Sequence, residues 1–211
     1  ALGIYSSFQL TFSYDYEDFF PNGDKELDFY YLFRDKFEHD DNFLLIGLQP
    51  ETGVFDTGFL TQLDSITHKT QRLESAEKVF SITNYNYYLK TPFGFVDYPA
   101  VHIQDSLRFA EDSARLILDE RVNGKLISQD FSTTVVLIKT PDTLSQLQSE
   151  NLIAGVKNIM ADLQVEDFHL LGKANFQVEL IRIQQKEFTL YALLSFLLVG
   201  FVTYLMFPKL W

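Results

Sequence analysis

The chain has 211 residues, 46% of them hydrophobic and 16% aromatic, enough apolar surface to exclude a disordered chain and room for one large domain or two small ones. It contains no cysteine, which removes disulfides, thiolate metal sites and a cysteine nucleophile. Seventeen basic against 29 acidic residues give a net charge of −12, which argues against nucleic acid as a partner and against electrostatic docking on an anionic membrane surface.

Ala1–Tyr14 carries no charge and is too short to span a bilayer; no basic segment precedes its apolar run, so a signal peptide fits poorly. Two readings stay open: the tail of a spanning helix, or a strand following a cleaved leader. Asp15, Glu17, Asp18, Asp24, Glu26 and Asp28 follow as a dense acidic stretch without the residue order of a calcium loop, and read as a solvated collar. Asp24–Phe37 predicts a helix with Phe29, Leu32, Phe33 and Phe37 on one face. Phe43–Leu48 is a continuous apolar run, as in a strand covered on both faces.

Asp56 or Thr57 can cap a helix that places Phe59, Leu63 and Ile66 on one stripe and continues to about Leu73. Lys78–Thr83 is β-rich, so 43–83 reads as one βαβ unit with two parallel strands. The order then repeats. Asp105–Leu118 predicts an amphipathic helix with Leu107, Ala110, Ala114, Ile117 and Leu118 in register, and Lys125–Ser128 and Phe131–Lys139 are two strands placed to pair as a hairpin. Asp142 or Thr143 caps a helix burying Leu152, Val156, Ile159, Met160 and Leu163, and Phe168–Leu171 is a strand closed by Gly172. The two βαβ units lie about 90 residues apart, which predicts two similar subdomains side by side, each a small α+β sandwich of the split-βαβ, ferredoxin-like kind.

From Ala174 the pattern is helical and leads into Phe188–Pro208, 21 residues without a charge and long enough to cross a membrane. Lys209 is the only charge beyond it, which places that end in the cytoplasm and the acidic body outside. The expected segments are therefore the end of a spanning helix (1–14), a first subdomain (15–84), a linker (85–104), a second subdomain (105–173), a connecting helix (174–187) and a spanning helix (188–208).

The linker holds the candidate binding residues. Tyr85, Tyr87, Tyr88, Phe93, Phe95 and Tyr98 are six aromatics in a stretch without clear secondary structure. They either line a path for apolar or amphiphilic molecules at the cleft between subdomains, or seal a seam as ordinary packing. No phosphate loop, nucleophile elbow or zinc-protease motif is present, and His39, His68, His102 and His169 are scattered. His39-Asp40-Asp41 reads as a solvated turn, and Ser128 and Asp130 have no histidine near them in sequence. The reading is therefore a protein that is not an enzyme, with no catalytic residue, no metal and no cofactor.

The succession of Ser13–Pro21 (SYDYEDFFP), DDNFLLIGL, GVFDTGFLTQL, KVFSITN, LILDERVNGKLISQDFSTTVVLIK and FHLLGKANF, followed by a span, resembles one half of an exporter of the RND superfamily, close to its MMPL and hydrophobe/amphiphile branch. The likeness runs over nearly the whole chain. It implies an α+β porter domain of two ferredoxin-like subdomains, flanked by transmembrane helices, on the outer, periplasmic side of a bacterial cytoplasmic membrane. It further implies hydrophobic or amphiphilic cargo such as lipid, the bilayer and the rest of the transporter as partners, and assembly as a homo-oligomer. Energy coupling in that family uses ionisable residues in later spans, and Phe188–Pro208 has none, so the chain would be a fragment that exports nothing alone. The alternative is a complete bitopic protein with an acidic extracytoplasmic binding or adaptor module.

Overall fold

The structure is a computed structural model that describes residues 23–36, 42–92 and 94–207. The expectations for Ala1–Tyr14, the collar residues before Asp24, Phe37, the turn His39-Asp40-Asp41, Phe93 and Lys209 fall outside the described residues. The chain is mixed α+β and divides into two compact units, Asn22–Phe176 and a second containing Gln177 onward.

In the first unit, α1 (Lys25–Lys36) precedes β1 (Phe43–Leu48), α2 (Thr57–Thr70) and β2 (Lys78–Phe80). A hairpin of β3 (Asn86–Thr91) and β4 (Gly94–Pro99) follows, then a 3-10 turn at Ser106–Arg108 and α3 (Phe109–Leu118). The second half brings β5 (Thr134–Lys139), α4 (Gln146–Asp162) and β6 (Phe168–Gly172), and α5 (Lys173–Met206) closes the described chain.

Four strands form one sheet in the order β2-β5-β1-β6, with every neighbouring pair antiparallel. This corrects the expectation of two side-by-side subdomains, while the expected parallel direction within each unit is kept. β1 and β2 do run the same way, but β5 lies between them; β5 and β6 run the same way with β1 between them. The two βαβ units interleave into a single sandwich within one compact unit. Two-stranded sheets are marginal in water, whereas four strands backed by two helices bury a continuous core. The most apolar runs take the central places: register sets Ile46 against Val136 and Leu44 against Ile138. These side chains are fully buried, together with Leu60, Leu63 and Ile66 of α2 and Val156 and Met160 of α4.

Local signals explain the helix starts. Asp56 accepts from the Phe59 N–H at 2.9 Å as the N-cap of α2. α4 begins later than expected, at a Ser145–Gln148 capping box, because a serine with a glutamine three residues on satisfies two orphan N–H groups at once. Two glycines sit at close approaches, Gly155 against a leucine side-chain end that can shift and Gly172 against backbone that cannot. A Cβ on Gly155 would lie 2.8 Å from Leu73 Cδ2, and one on Gly172, at φ +145°, would lie 2.3 Å from the Phe43 carbonyl oxygen.

Two sequence patterns that carried the family resemblance become corners of this fold. After β2, Ser81 bridges Thr67 at 2.9 Å and Thr83 at 2.7 Å, while Asn84 takes the Ser81 N–H and donates to the Val79 carbonyl. This pattern stops β2 at Phe80, three residues short of the expected end. In the stretch 124–130, Leu126 and Ile127 are buried, and Ser128 donates to Asp130 at 2.6 Å. The expected strand at Lys125–Ser128 is reduced to isolated bridges of Ile127 with Asn123 and Thr134.

The expected apolar stripe of the helix at 105–118 is also corrected. Leu107, Ile117 and Leu118 are exposed, Leu107 by 92%, and the residues that α3 buries are Asp112 and Leu116. In α1 the stripe of Phe29, Leu32 and Phe33 is likewise exposed.

In the second unit, α5 runs on without a charge from Phe188 to Met206, 19 residues or about 28 Å of helix. It is long and apolar enough to cross a membrane, and its apolar window is fully exposed.

Candidate functional site

The segment 85–99 is an antiparallel hairpin with a six-residue register, which corrects its description as an unstructured linker. A tyrosine-rich stretch flanking a proline and a glycine can pair with itself, and the Ala100 N–H closes the base on the Tyr85 carbonyl at 2.9 Å. Side chains alternate across the ribbon. Tyr87 faces Tyr98 and Leu89 faces Val96 across one side; Tyr88 opposes Asp97 and Lys90 opposes Phe95 on the other.

α3 and the turn after it supply the opposite wall. The start of α3 is held by Phe55, whose ring lies 5.7 Å from Phe109 and 5.2 Å from Phe131. Its middle is fixed by Asp112, a fully buried carboxylate that accepts from the His102 backbone N–H at 2.8 Å and lies 3.0 Å from His102 Nδ1. A charge removed from water requires such partners. With Asp112 turned inward, Glu111 and Arg115 point along the hairpin side and pair with each other at 2.8 Å.

Between hairpin and α3 lies a cavity of about 690 Å³, lined by Tyr85, Asn86, Tyr87, Tyr88, Leu89, Tyr98, Glu111, Arg115 and Arg121. The Arg115 guanidinium sits 4.7 Å from the Tyr98 ring centroid and 5.7 Å from that of Tyr87. Arg108 lies over Tyr98 at 5.5 Å and donates to its hydroxyl, and Arg121 lies 5.8 Å from the Tyr85 centroid. Arg121 also forks onto Asp119 through two bonds of 2.9 Å, and the Tyr85 hydroxyl donates to the same carboxylate at 3.2 Å.

These contacts set the ionisation of the site. Hydrogen bonding from Arg121 holds the Asp119 carboxyl below its ordinary value, against the desolvation that would raise it. Burial, then the Asp119 charge, raises the Tyr85 phenol; the same two causes push Tyr87 up to about 12. Both tyrosines therefore stay neutral donors across the physiological range. The Tyr87 hydroxyl and Arg115 Nη1 are buried without a hydrogen-bond partner among the described residues. Buried polar atoms are nearly always paired, so two orphans in one cavity wall mark a place where a partner belongs.

Of the six aromatics picked from sequence, the structure brings Tyr85, Tyr87, Tyr88 and Tyr98 to the cavity. Phe95 is 73% exposed and does not line it, and Phe93 lies outside the described residues. The sequence reading missed Glu111, Arg115 and Arg121. A signal was present: Glu111 and Arg115 are an i,i+4 pair on a helix just after the tyrosines. No group of three or more His, Asp or Glu side chains able to hold a metal occurs among the described residues. Ser128 and Asp130 bond to each other and to Ser132 in an exposed turn, and their chemistry is spent on the turn itself. Compared with known proteins, the chain matches no family model, and no curated protein matches it.

Proposed function

We propose that this chain serves as a porter body and one spanning helix of an RND-type exporter close to the MMPL and hydrophobe/amphiphile branch. The body lies outside a bacterial cytoplasmic membrane, on the periplasmic side, and takes up hydrophobic or amphiphilic cargo in the tyrosine-lined cavity. Energy comes from ion-coupling spans elsewhere in that transporter, which is assembled as a homo-oligomer in the lipid bilayer. The chain itself binds and passes cargo and makes no covalent change to it.

The observation that carries this reading is the association of two interleaved βαβ units with a helix that continues into 19 uncharged residues. A sandwich of this kind needs no membrane to bury its core, so an exposed apolar helix leading from it is accounted for by a bilayer. The cavity supplies the second half of the argument, because a hollow lined by four tyrosines and a leucine with a few convergent polar groups has the ordinary form of a small-molecule site.

Export of fluorescent amphiphiles, the neutral Nile red and the anionic 1-pyrenebutyrate side by side, compared between cells with and without the intact gene, tests the function. Slower efflux in the deletion strain is expected, and equal efflux overturns the reading. Protease added outside spheroplasts tests the orientation: the body at 22–176 should be cut while a tag after Trp211 survives. The opposite pattern places the body in the cytoplasm and overturns the topology.

A further inference from the structure

The cavity is specific about charge. The faces of Tyr85, Tyr87 and Tyr98 are each already covered by an arginine guanidinium. A cationic ligand approaching these rings would meet an arginine already in place at each, so like-charge repulsion works against it. Donors, in contrast, exceed acceptors. Glu111 is taken by Arg115, and Asp119 by Arg121 and Tyr85, whereas Arg115 Nη1 has no acceptor and the Tyr87 hydroxyl has only that shared Asp119 carboxylate near it, beyond full hydrogen-bond geometry. A guanidinium cannot accept a hydrogen bond or lose its proton, so only an incoming acceptor relieves it.

The charge balance narrows the class further. Arg108, Arg115 and Arg121 stand against Glu111, Asp112 and Asp119, with His102 held on Asp112. The surroundings are close to neutral, which suits a head group of one negative charge and leaves a phosphate dianion poorly compensated. The lining that remains is tyrosine ring, Leu89 and the uncharged amide of Asn86.

From these features we infer that the cavity binds a monoanionic amphiphile, a carboxylate on an aromatic or alkyl body, with its oxygens on Arg115 and Tyr87 and its apolar part along Tyr88 and Leu89. The inference rests on this cavity being the cargo site of the proposed function.

The test uses the full chain in phosphatidylcholine nanodiscs, with 4-phenylbutyrate as probe and 4-phenylbutanol and 4-phenylbutylammonium as matched neutral and cationic controls. Binding is read by ligand-observed NMR, with empty nanodiscs subtracted. The carboxylate should bind at least about tenfold tighter than either control, in line with a charge-assisted hydrogen bond. Arg115→Gln should weaken it about tenfold or more, and Tyr87→Phe, which keeps the ring, about threefold to tenfold. Far-UV circular dichroism confirms folding of each variant, and the wild-type ligand series decides the matter even if Arg115→Gln fails to fold. Equal or tighter binding of the ammonium, or no saturable binding of 4-phenylbutyrate, overturns the inference. Carboxylate binding without any export defect in the deletion strain overturns the exporter reading and leaves this one standing; export without carboxylate binding does the reverse.

Discussion

On the helix-covered face of the sheet, Leu44, Ile46, Val136 and Ile138 meet α2 and α4, and no ionised side chain is present. In the cleft under the hairpin, three arginines, three carboxylates and four tyrosines crowd together, and two polar atoms have no partner. Apolar contact is non-directional and tolerates small errors, so the first region yields one well-packed state. Charged groups in a partly desolvated cleft must each be matched, and an unmatched one is costly. Of the four buried polar atoms without a hydrogen-bond partner among the described residues, the Tyr87 hydroxyl and Arg115 Nη1 lie in the cleft, where a ligand could complete them, and Thr70 Oγ1 of α2 and Asn123 Oδ1 lie elsewhere.

The contrast is broken most severely by emptying the core. Leu63 is fully buried, and Leu63→Ala should lower stability by about 2–5 kcal/mol in denaturant unfolding while leaving the cleft's ligand preference unchanged. A loss below about 1 kcal/mol would mean that the sandwich is loosely packed. Gly172→Ala comes next. Its φ of +145° alone costs a residue with a Cβ about 1–3 kcal/mol, and the Phe43 carbonyl stands in the way of that Cβ. The change should fray β6 from β1 first, visible as faster amide exchange at Leu171, whereas uniform exchange loss across the sheet would speak for global rather than local damage.

The hairpin separates packing from lining. Tyr88 is 72% exposed and Phe95 73%, so replacing either with Ser should alter stability by no more than about 0.5 kcal/mol. A buried ring lost from a seam would cost roughly 3–5 kcal/mol. A large fall in melting temperature for either variant would show that these rings are packing elements. Tyr88→Ser should still weaken 4-phenylbutyrate, because Tyr88 lines the cavity, and Phe95→Ser should not.

How far the sequence could be read follows the same division. Strands Phe43–Leu48 and Phe168–Gly172 and the helices at 57–70 and 146–162 were legible because apolar runs and stripes act locally, and the Asp56 cap marked the start of the first helix, whereas the Ser145 cap of the second was missed. The interleaving of the strands was not, since periodicity says which residues are buried and nothing about which strand lies between two others. α3 misled for a physical reason. Its apolar stripe is real, yet the helix buries Asp112 and Leu116 instead, because the inward carboxylate ties the helix to the backbone and ring of His102. The tyrosines of the site announced themselves by density. Their arginine partners did not, since Arg115 and Arg121 reach them only after the hairpin folds back on α3.

Electrostatic predictions are smaller. Removing the Asp119 charge with Asp119→Asn should lower the Tyr87 phenol from about 12 toward its ordinary 10, because the Asp119 charge, the largest cause of the upward shift after burial, disappears. Burial remains and keeps it above that value. Spectrophotometric titration of the phenols reads this directly, and an unchanged alkaline limb would assign the whole shift to burial.

The smallest effect lies away from the cleft, at the turn before β5. Ser128 donates to Asp130 at 2.6 Å, and the Ser132 N–H and hydroxyl donate at 3.1 and 2.8 Å. Those bonds, Ser128 first, hold the Asp130 carboxyl at about 2, against an ordinary 3.8. The folded value is depressed, so this group's contribution to stability is complete above about 3.8 and is lost as the pH falls toward 2. The turn is exposed, so the contribution is screened and the titration is a better readout than unfolding. Carboxyl-detected NMR should place the Asp130 midpoint near 2, and Ser128→Ala should raise it by removing the largest cause. The Ser132 bonds persist in that variant, so the midpoint should stop short of 3.8. A wild-type midpoint near 3.8 would show the turn open in solution, and the corner between Ile127 and Thr134 would then need another explanation.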